Sequence, residues 1–498
     1  MRTCGILMPV FSLSSKGGIG TLGKEAYNFV DFLCNAGQSY WQILPLNPTN
    51  FGDSPYQSFS SYAGNPYFID PEILIEEGLL TNEEFSSFDF GSNPNEIDYE
   101  KLYNNRYKML ETAFSRFKPN SDYNKFCKEN AFWLDDYALF MALKANNGNN
   151  SWNMWPMALK EKDNEEITKA AKECKQEIEF QCFIQYEFSK QWFALKEYAN
   201  KKGIAIIGDI PIYVALDSAD VWSEPEQFQL DKNMNPAAVA GCPPDAFSED
   251  GQLWGNPLYN WKFMKSENFA WWKRRLGYAL KLYDTVRIDH FRGFESYWSV
   301  PFGAESAKVG KWVKGPDVAL FKELKKEFGE DVPIIAEDLG FLTPKIHLML
   351  KKCGFPGMKV LQFAFSNGQD NDYLPHNYNK NCVVYTGTHD NDTILGWAES
   401  LSEQDLEMVK NYLNVNNTEG LNWNLIRLAQ MSVADTCILT MQDLIGLGSE
   451  GRINTPSTLG NNWKWRISDG CINDWLAKIV YDKTAQSFRL PKKNKEQA

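Results

Sequence analysis

Three acidic side chains stand where short apolar runs give way to polar, glycine-containing loops. Asp289 follows Val286-Arg287-Ile288. Glu337, with Asp338 behind it, follows Ile334-Ile335-Ala336. Asp390 follows the apolar run Cys382 to Thr386 and the turn Gly387-Thr388-His389. They lie 48 and 53 residues apart. Paired carboxyl groups in opposite protonation states are the tools of glycosidic-bond cleavage: one attacks the anomeric carbon and the other donates a proton to the departing oxygen. In an extended strand Arg287 and Asp289 share one face and Ile288 takes the other. A guanidinium there holds the carboxylate ionised, as a nucleophile must be. Crowding by Asp289 and Asp390 favours the protonated form of Glu337 and suits it as the acid, which leaves Asp390 to hold the hydroxyls of a distorted sugar ring. Each acid alone would serve equally well to cap a helix, shape a turn or lock a strand end through an ion pair. Three brought together are costly to bury unless the site uses them. Strand alternation does not choose between Glu337 and Asp338.

A metal reading exists, since His290 and His389 sit beside these acids. The chain has only four histidines, however, and no H-E-x-x-H or H-x-H spacing, so no metal is expected. No G-x-G-x-x-G follows any of the apolar runs, and no cofactor is expected either.

Composition narrows the partners. The 498 residues carry a formal net charge of -13, which argues against nucleic acid and anionic membrane surfaces. Neutral partners such as sugars remain, and an aromatic content of 14% supplies flat faces for stacking, although most aromatics in a chain this size are core. The ten cysteines are scattered without a C-x-x-C pair, which suits reduced thiols and a cytoplasmic location. The N-terminal apolar run contains Pro9 and enters a glycine-rich turn, so it reads as a buried strand rather than a secretion signal. No run of eighteen apolar residues is present, and no membrane span is expected.

The acids must be positioned by strands. Eight short apolar runs, at about Ile6, Ile43, Ile206, Arg287, Ile335, Val360, Val384 and Leu439, are separated mostly by helical patterns. The order predicts an α/β protein, a (β/α)8 barrel with largely helical insertions, whose strand C-termini converge on one face. An open doubly wound sheet is the alternative. Helices are expected over Gly23–Ala36, Tyr99–Phe117, Phe132–Ala145, Asn164–Tyr198, Phe269–Leu282, Asp317–Phe328, Thr343–Cys353, Glu403–Val415 and Leu421–Met431. Residues 1–498 are read as one catalytic domain. It carries a mainly helical insertion at 51–200 and a loop-rich insertion over the active site at 211–268, within which 217–260 looks irregular. The charged tail 492–498 is expected to fray.

At these residues the chain resembles the 4-α-glucanotransferases of the amylomaltase or disproportionating-enzyme family, glycoside hydrolase family 77, relatives of the α-amylase clan. The resemblance runs over nearly the whole chain. It is carried by DSPYQSFSSYAGNPYFID (53–70), IIGDIPIYV (206–214), GCPPDAFSEDGQLWGNP (241–257), RIDHFRG (287–293), IIAEDLG (334–340), YTGTHDNDT (385–393) and GRINTPSTLGNNWKWR (451–466). It implies a retaining transfer of a 1,4-α-glucan segment to the 4-hydroxyl of an acceptor glucan or glucose through a covalent glucosyl-enzyme intermediate. Asp289 is then the nucleophile, Glu337 the acid/base and Asp390 the transition-state stabiliser, with Arg287 and His389 in support and Asp209 near the donor sugar. The resemblance also implies a loop at 241–257 over the acceptor side, with Gln252 and Trp254 as sugar contacts. A second covering loop at 451–463 carries Asn461 and Asn462, and Tyr56 stacks on the glucan. Maltooligosaccharides, amylose or glycogen-derived glucans are the implied partners, in starch, glycogen or maltodextrin metabolism, and the chain is expected to be a monomer or weak homo-oligomer. An α-amylase-type hydrolase on the same barrel is the alternative activity.

Overall fold

The computed structural model describes residues 2–244, 249–340, 342–365, 368–415 and 419–492. Twelve strands run through them: β1 (Thr3–Leu7), β2 (Tyr40–Gln42), β3 (Ala205–Ile210), β4 (Ala238–Cys242), β5 (Gln252–Pro257), β6 (Thr285–Ile288), β7 (Ser296–Pro301), β8 (Lys311–Lys314), β9 (Ile334–Ala336), β10 (Gly357–Val360), β11 (Cys382–Tyr385) and β12 (Thr436–Thr440). Eight of these form one sheet in the order β10-β11-β12-β1-β2-β3-β6-β9. Every neighbouring pair in it is parallel.

The two ends of the sheet meet. The Ala336 amide donates to Pro356 O (2.9 Å) and the Met358 amide to Asp338 Oδ1 (2.6 Å), so Asp338 stitches β9 to β10 and the sheet is a nearly closed barrel. The eight apolar runs are its eight staves. Parallel strands buried on both faces need apolar residues at successive positions, which is why the runs stand out. Inside lie Leu7, Ile207, Ile335, Met358, Val360, Val383, Tyr385 and Ile438.

The helices pack around this barrel by one apolar stripe each. Lys24–Asn35 buries Ala26, Phe29, Val30, Phe32 and Leu33, and Val318–Phe328 buries Leu320, Phe321 and Leu324. Each large apolar side chain so enclosed contributes about 1.5–3 kcal/mol. The expected helices are present with ends shifted by a few residues, with two differences. Phe132–Ala145 is the second half of a longer helix, Ser121–Asn146. The stretch 164–198 is two helices, Asn164–Glu173 and Lys175–Lys201, broken at Cys174 (φ -97°, ψ 19°), whose sulfur accepts a hydrogen bond from Asn146.

The helix Lys175–Lys201 positions the loop that follows β2. The Gln185 amide accepts from Gly64 N and donates to Gly64 O, and Gln191 accepts from the Asp70 amide. Phe188 fills the space a side chain at position 64 would need, with ring carbons about 2.0 Å from a built Cβ, so only glycine lets the loop dock there.

Residues 217–260 are not irregular throughout. β4 and β5 pair antiparallel, and with β7 and β8 they make a second sheet in the order β5-β4-β7-β8. The sequence concealed it because β4 is built of small residues and its partner β7 lies more than fifty residues further on. A C-terminal helix, Asp474–Gln486, capped by Asn473, was also not expected; it packs on Lys24–Asn35. Behind it the fully buried Arg489 donates to the carbonyls of Thr3, Gln430, Ser432, Ala434 and Asp435 at the N-terminal end of the barrel. Residues 245–248 of the expected acceptor-side loop and 493–498 of the tail lie outside the described residues. Among those described, no helix is long and apolar enough to cross a membrane.

Candidate active site

Five strand ends contribute to one cluster. Arg287, on β6 and 3% exposed, is its hub. Nη1 donates to both carboxylate oxygens of Asp209 on β3 (2.8 and 2.7 Å), Nη2 donates to Asp289 Oδ1 (2.9 Å), and Nε points at the sulfur of Met358 on β10 (3.4 Å). The expected Arg287–Asp289 pair is present, but Asp209 takes the stronger share of the guanidinium. Asp209 is wholly buried and accepts a further bond from the Tyr56 hydroxyl (2.8 Å). Arg287 is held well above its ordinary range: burial works against its charge, and the carboxylates of Asp209 and Asp289 override it.

Glu337, one residue past β9, is 9% exposed. Its carboxyl accepts from the amides of His290 (to Oε2, 2.7 Å) and Leu339 (to Oε1, 2.7 Å). It is nevertheless pushed up to about 8, first by burial and then by the charge of Asp289, while Arg287 pulls the other way. The crowding anticipated from Asp289 is there, but loss of water is the larger cause. The ambiguity between neighbouring acids disappears in three dimensions. Glu337 turns toward the Asp289–His290 segment, and Asp338 turns to the β10 backbone.

Asp390 and His389 follow β11. His389 Nε2 lies 3.3 Å from Asp390 Oδ2, and Asn454 donates to Asp390 Oδ1 (2.6 Å). Burial works to raise Asp390, but attraction to His389, its hydrogen bond and the Asn454 amide outweigh it and hold the carboxyl down to about 2. Burial likewise opposes a charge on His389, and Asp390 more than compensates, so the imidazole is raised. Arg452 donates to Asp390 O (3.0 Å) and to Asn454 O (2.9 Å), fixing the 451–463 loop to the strand end.

Aromatic rings wall the cluster. Tyr56 stacks on His389 (centroids 4.9 Å, 23°), and Trp463 lies against both rings at 5.9 Å. On the other side Trp254 of β5 meets His290 edge to face (4.7 Å, 85°), and its indole N–H donates to Gln252 Oε1 (3.1 Å). Asn461 and Asn462 stand apart from this cluster in their hydrogen bonding. Asn461, at φ 58°, accepts from Lys464, and Asn462 is tied to Thr455 and Thr458 within its own loop. Sequence reasoning weighed His290 only as a metal ligand and passed over Asn454, Arg452 and Trp463 as individual site residues. All lie inside the motifs, but pairing across 64 residues, as between Asn454 and Asp390, leaves no mark in a single sequence. Among the described residues no three His, Cys, Asp or Glu groups are arranged to hold a metal ion.

A barrel with carboxyl groups in opposed states on its strand-end face, between aromatic walls, defines an enzyme of glycoside chemistry. The sequence profile of the 4-alpha-glucanotransferase family matches residues 8–472, and the chain belongs to that family. It is 53% identical over 478 residues to a 4-alpha-glucanotransferase of Clostridium butyricum, covering 95% of this chain and 98% of the relative. A 4-alpha-glucanotransferase of Thermus thermophilus is 46% identical over 482 residues, covering 94% and 95%. Among solved structures, the amylomaltase from Streptococcus agalactiae in complex with acarbose superposes with a TM-score of 0.96 at 41% identity, covering 99% of this chain and all of that one. Transfer between 1,4-α-glucans, rather than α-amylase-type hydrolysis, is therefore the activity.

Proposed function

We propose that the transfer runs in two displacements with the roles divided among the three acids. Asp289 attacks the anomeric carbon while Glu337 protonates the departing 4-oxygen, giving a β-glucosyl ester. Glu337 then removes the proton of an acceptor 4-hydroxyl, which opens the ester with retention. Asp390, kept ionised by His389 and Asn454, holds sugar hydroxyls in the distorted ring. Arg287 holds Asp289 and, through Asp209, the floor of the cleft.

The observation that carries this reading is the opposed treatment of two neighbouring carboxyl groups. Asp289 accepts from a buried guanidinium, while Glu337 is shut from water beside it and pushed up to about 8. That pairing supports a nucleophile and a proton donor coexisting near neutral pH. The walls formed by Tyr56, His389 and Trp463 on one side and Gln252 and Trp254 on the other support exclusion of water while an acceptor is held. In this reading residues 1–498 act as one catalytic unit. The helical insertion 51–200 supplies Tyr56, the insertion 211–268 supplies Gln252 and Trp254, and Asn461 and Asn462 touch sugar at the outer loop. Maltooligosaccharides, amylose and glycogen-derived glucans are the substrates, acarbose occupies the same cleft, and the protein works in the cytoplasm as a monomer or weak homo-oligomer.

Asp289→Asn tests it. The variant loses maltotriose disproportionation by on the order of 10⁴-fold or more, read by chromatography of the glucose and oligomer ladder. Wild-type turnover in that variant would remove Asp289 from the mechanism.

A further inference from the structure

The mechanism makes no use of His290, yet its backbone and its ring touch opposite sides of the site. Its amide donates to Glu337 Oε2 at 2.7 Å. The same short segment grips Glu337 twice more through the main chain: the Glu337 amide donates to Ile288 O (3.1 Å) and the Phe291 amide to Glu337 O (3.0 Å). His290 itself is left-handed, φ 50°, ψ 46°, a conformation that a residue with a side chain keeps only when its surroundings hold it. What surrounds the ring is Trp254 of β5, edge to face at 4.7 Å, and Gly293, where a built Cβ would come within 3.2 Å of the imidazole Cδ2. β5 is fastened in turn: Gln57 donates to the Trp254 carbonyl and to the side-chain oxygen Oδ1 of Asn256.

We propose that His290 is a positioning residue of the transfer reaction: its amide fixes the Glu337 carboxyl, and its ring, wedged against Trp254, locks that amide to the acceptor-side strand β5. The inference rests on Glu337 being the acid and base. Burial, aided by Arg292 and opposed by Asp289, pushes the imidazole down to about 4. The ring is therefore uncharged at neutral pH and does not compete with Arg287 for Asp289. The two amide bonds take one lone pair on each carboxyl oxygen, Oε2 and Oε1, which leaves one lone pair on each for the proton of the acid. A shift of the His290 amide would rotate that proton away from the glycosidic oxygen, and movement of β5 on acceptor binding would be felt at the acid.

The test separates proton delivery from everything else. With maltotriose, the departing sugar oxygen must be protonated. With α-maltosyl fluoride and azide, fluoride leaves with its electron pair as the Asp289–C1 bond forms, and azide opens the ester, so neither step needs Glu337. His290→Gly keeps the amide and is at ease in the left-handed region, but removes the ring. It should lose about tenfold or more in kcat on maltotriose, as expected for impaired general acid catalysis, and less than about threefold in fluoride release with azide. His290→Asn, which also tolerates that conformation, should give the same split and serves if the glycine variant does not fold. An equal loss on both substrates, or no loss on maltotriose, overturns the role of His290. Glu337→Gln run in parallel should show the same split more strongly. If instead it loses both reactions equally, the assignment of Glu337 fails, an outcome distinguishable from failure at His290.

Discussion

Two carboxyl groups on the strand-end face of this barrel are displaced in opposite directions. Glu337, beyond β9, is 9% exposed, faces another carboxylate and is pushed up to about 8. Asp390, beyond β11, has a side chain 43% exposed, faces an imidazole and an amide donor, and is held down to about 2. Both receive two polar contacts from their surroundings, so the number of hydrogen bonds does not explain the difference. The sign of the nearest charge does: burial pushes both carboxyls upward, but Glu337 faces Asp289 whereas Asp390 faces His389. The region around Asp390 is a polar scaffold, in which Arg452 and Asn454 tie a loop to a strand end. The region around Glu337 is a backbone clamp closed against solvent. One keeps an anion available, and the other keeps a proton available.

The sharpest way to break the contrast is to remove the proton from the closed side. Glu337→Gln keeps the volume but cannot deliver or accept a proton, and its single oxygen keeps only one of the contacts from the His290 and Leu339 amides. Maltotriose turnover at pH 7 should fall about 10³-fold, within the usual range for a lost general acid/base. In the wild type, turnover should also decline as the pH rises past about 8, because Glu337 gives up its proton there. A wild-type basic limb that is absent, or is unchanged in Glu337→Gln, would mean that another group titrates.

A second experiment gives Asp390 the kind of neighbour that Glu337 has. Asn454 donates to Asp390 Oδ1 at 2.6 Å, so Asn454→Asp puts a carboxylate in contact with a carboxylate. Two such groups cannot both ionise cheaply, and the pair binds a shared proton at higher pH than either would alone. At pH 7.5 the repelling pair should lower turnover by about 10²-fold. At pH 5 a shared proton restores an O–H donor where the amide N–H was, and the deficit should shrink to about tenfold. A deficit independent of pH would show that the loop, not the charge on Asp390, was damaged.

The sequence carried these two regions unequally. The staves were legible because strands buried on both faces must be apolar at consecutive positions, and Ile334-Ile335-Ala336 and Cys382-Val383-Val384-Tyr385 have no polar break. Glu337 was legible because it directly follows its run, whereas Asp390, separated from its stave by Thr386-Gly387-Thr388-His389, stood out only as a third acid near a strand end. The pairing of Arg287 with Asp289 followed from alternation, but its larger commitment to Asp209 did not, since that contact crosses from β6 to β3. The backbone clamp on Glu337 was invisible, because amides of His290 and Leu339 have no side-chain signature. The sheet β5-β4-β7-β8 was missed where Gly241 pairs with Trp298 across the fold, and propensity there is weaker than tertiary context. Asn461 and Asn462 are legible only as members of their motif. Asparagine is as suited to turns as to sugars, and the observed left-handed φ of Asn461 and the in-loop bonds of Asn462 are turn chemistry.

The smallest effect concerns stability, and it follows from the same closed region. A Glu337 carboxyl whose folded value is about 8 against an ordinary 4.5 binds its proton more tightly in the folded chain than in the unfolded one. Its contribution is therefore fully present below about pH 4.5 and is lost progressively as the pH rises through about 8, where the folded protein must either keep a buried anion beside Asp289 or unfold. Each unit of displacement corresponds to about 1.4 kcal/mol, so the cost at high pH is on the order of a few kcal/mol. Glutamine carries no such charge at any pH. Glu337→Gln, whose side-chain NH2 leaves one of the two backbone amides without an acceptor, should then unfold below the wild type at pH 4.5 and gain a few degrees relative to it between pH 4.5 and pH 9, as read by calorimetry at both values. Asp390→Asn should show no such gain at pH 9, because that carboxylate is held down by its imidazole and amide partners rather than pushed up. If both variants were stabilised equally at high pH, the general negative charge of the chain would be responsible, and the contrast between the two strand ends would not hold.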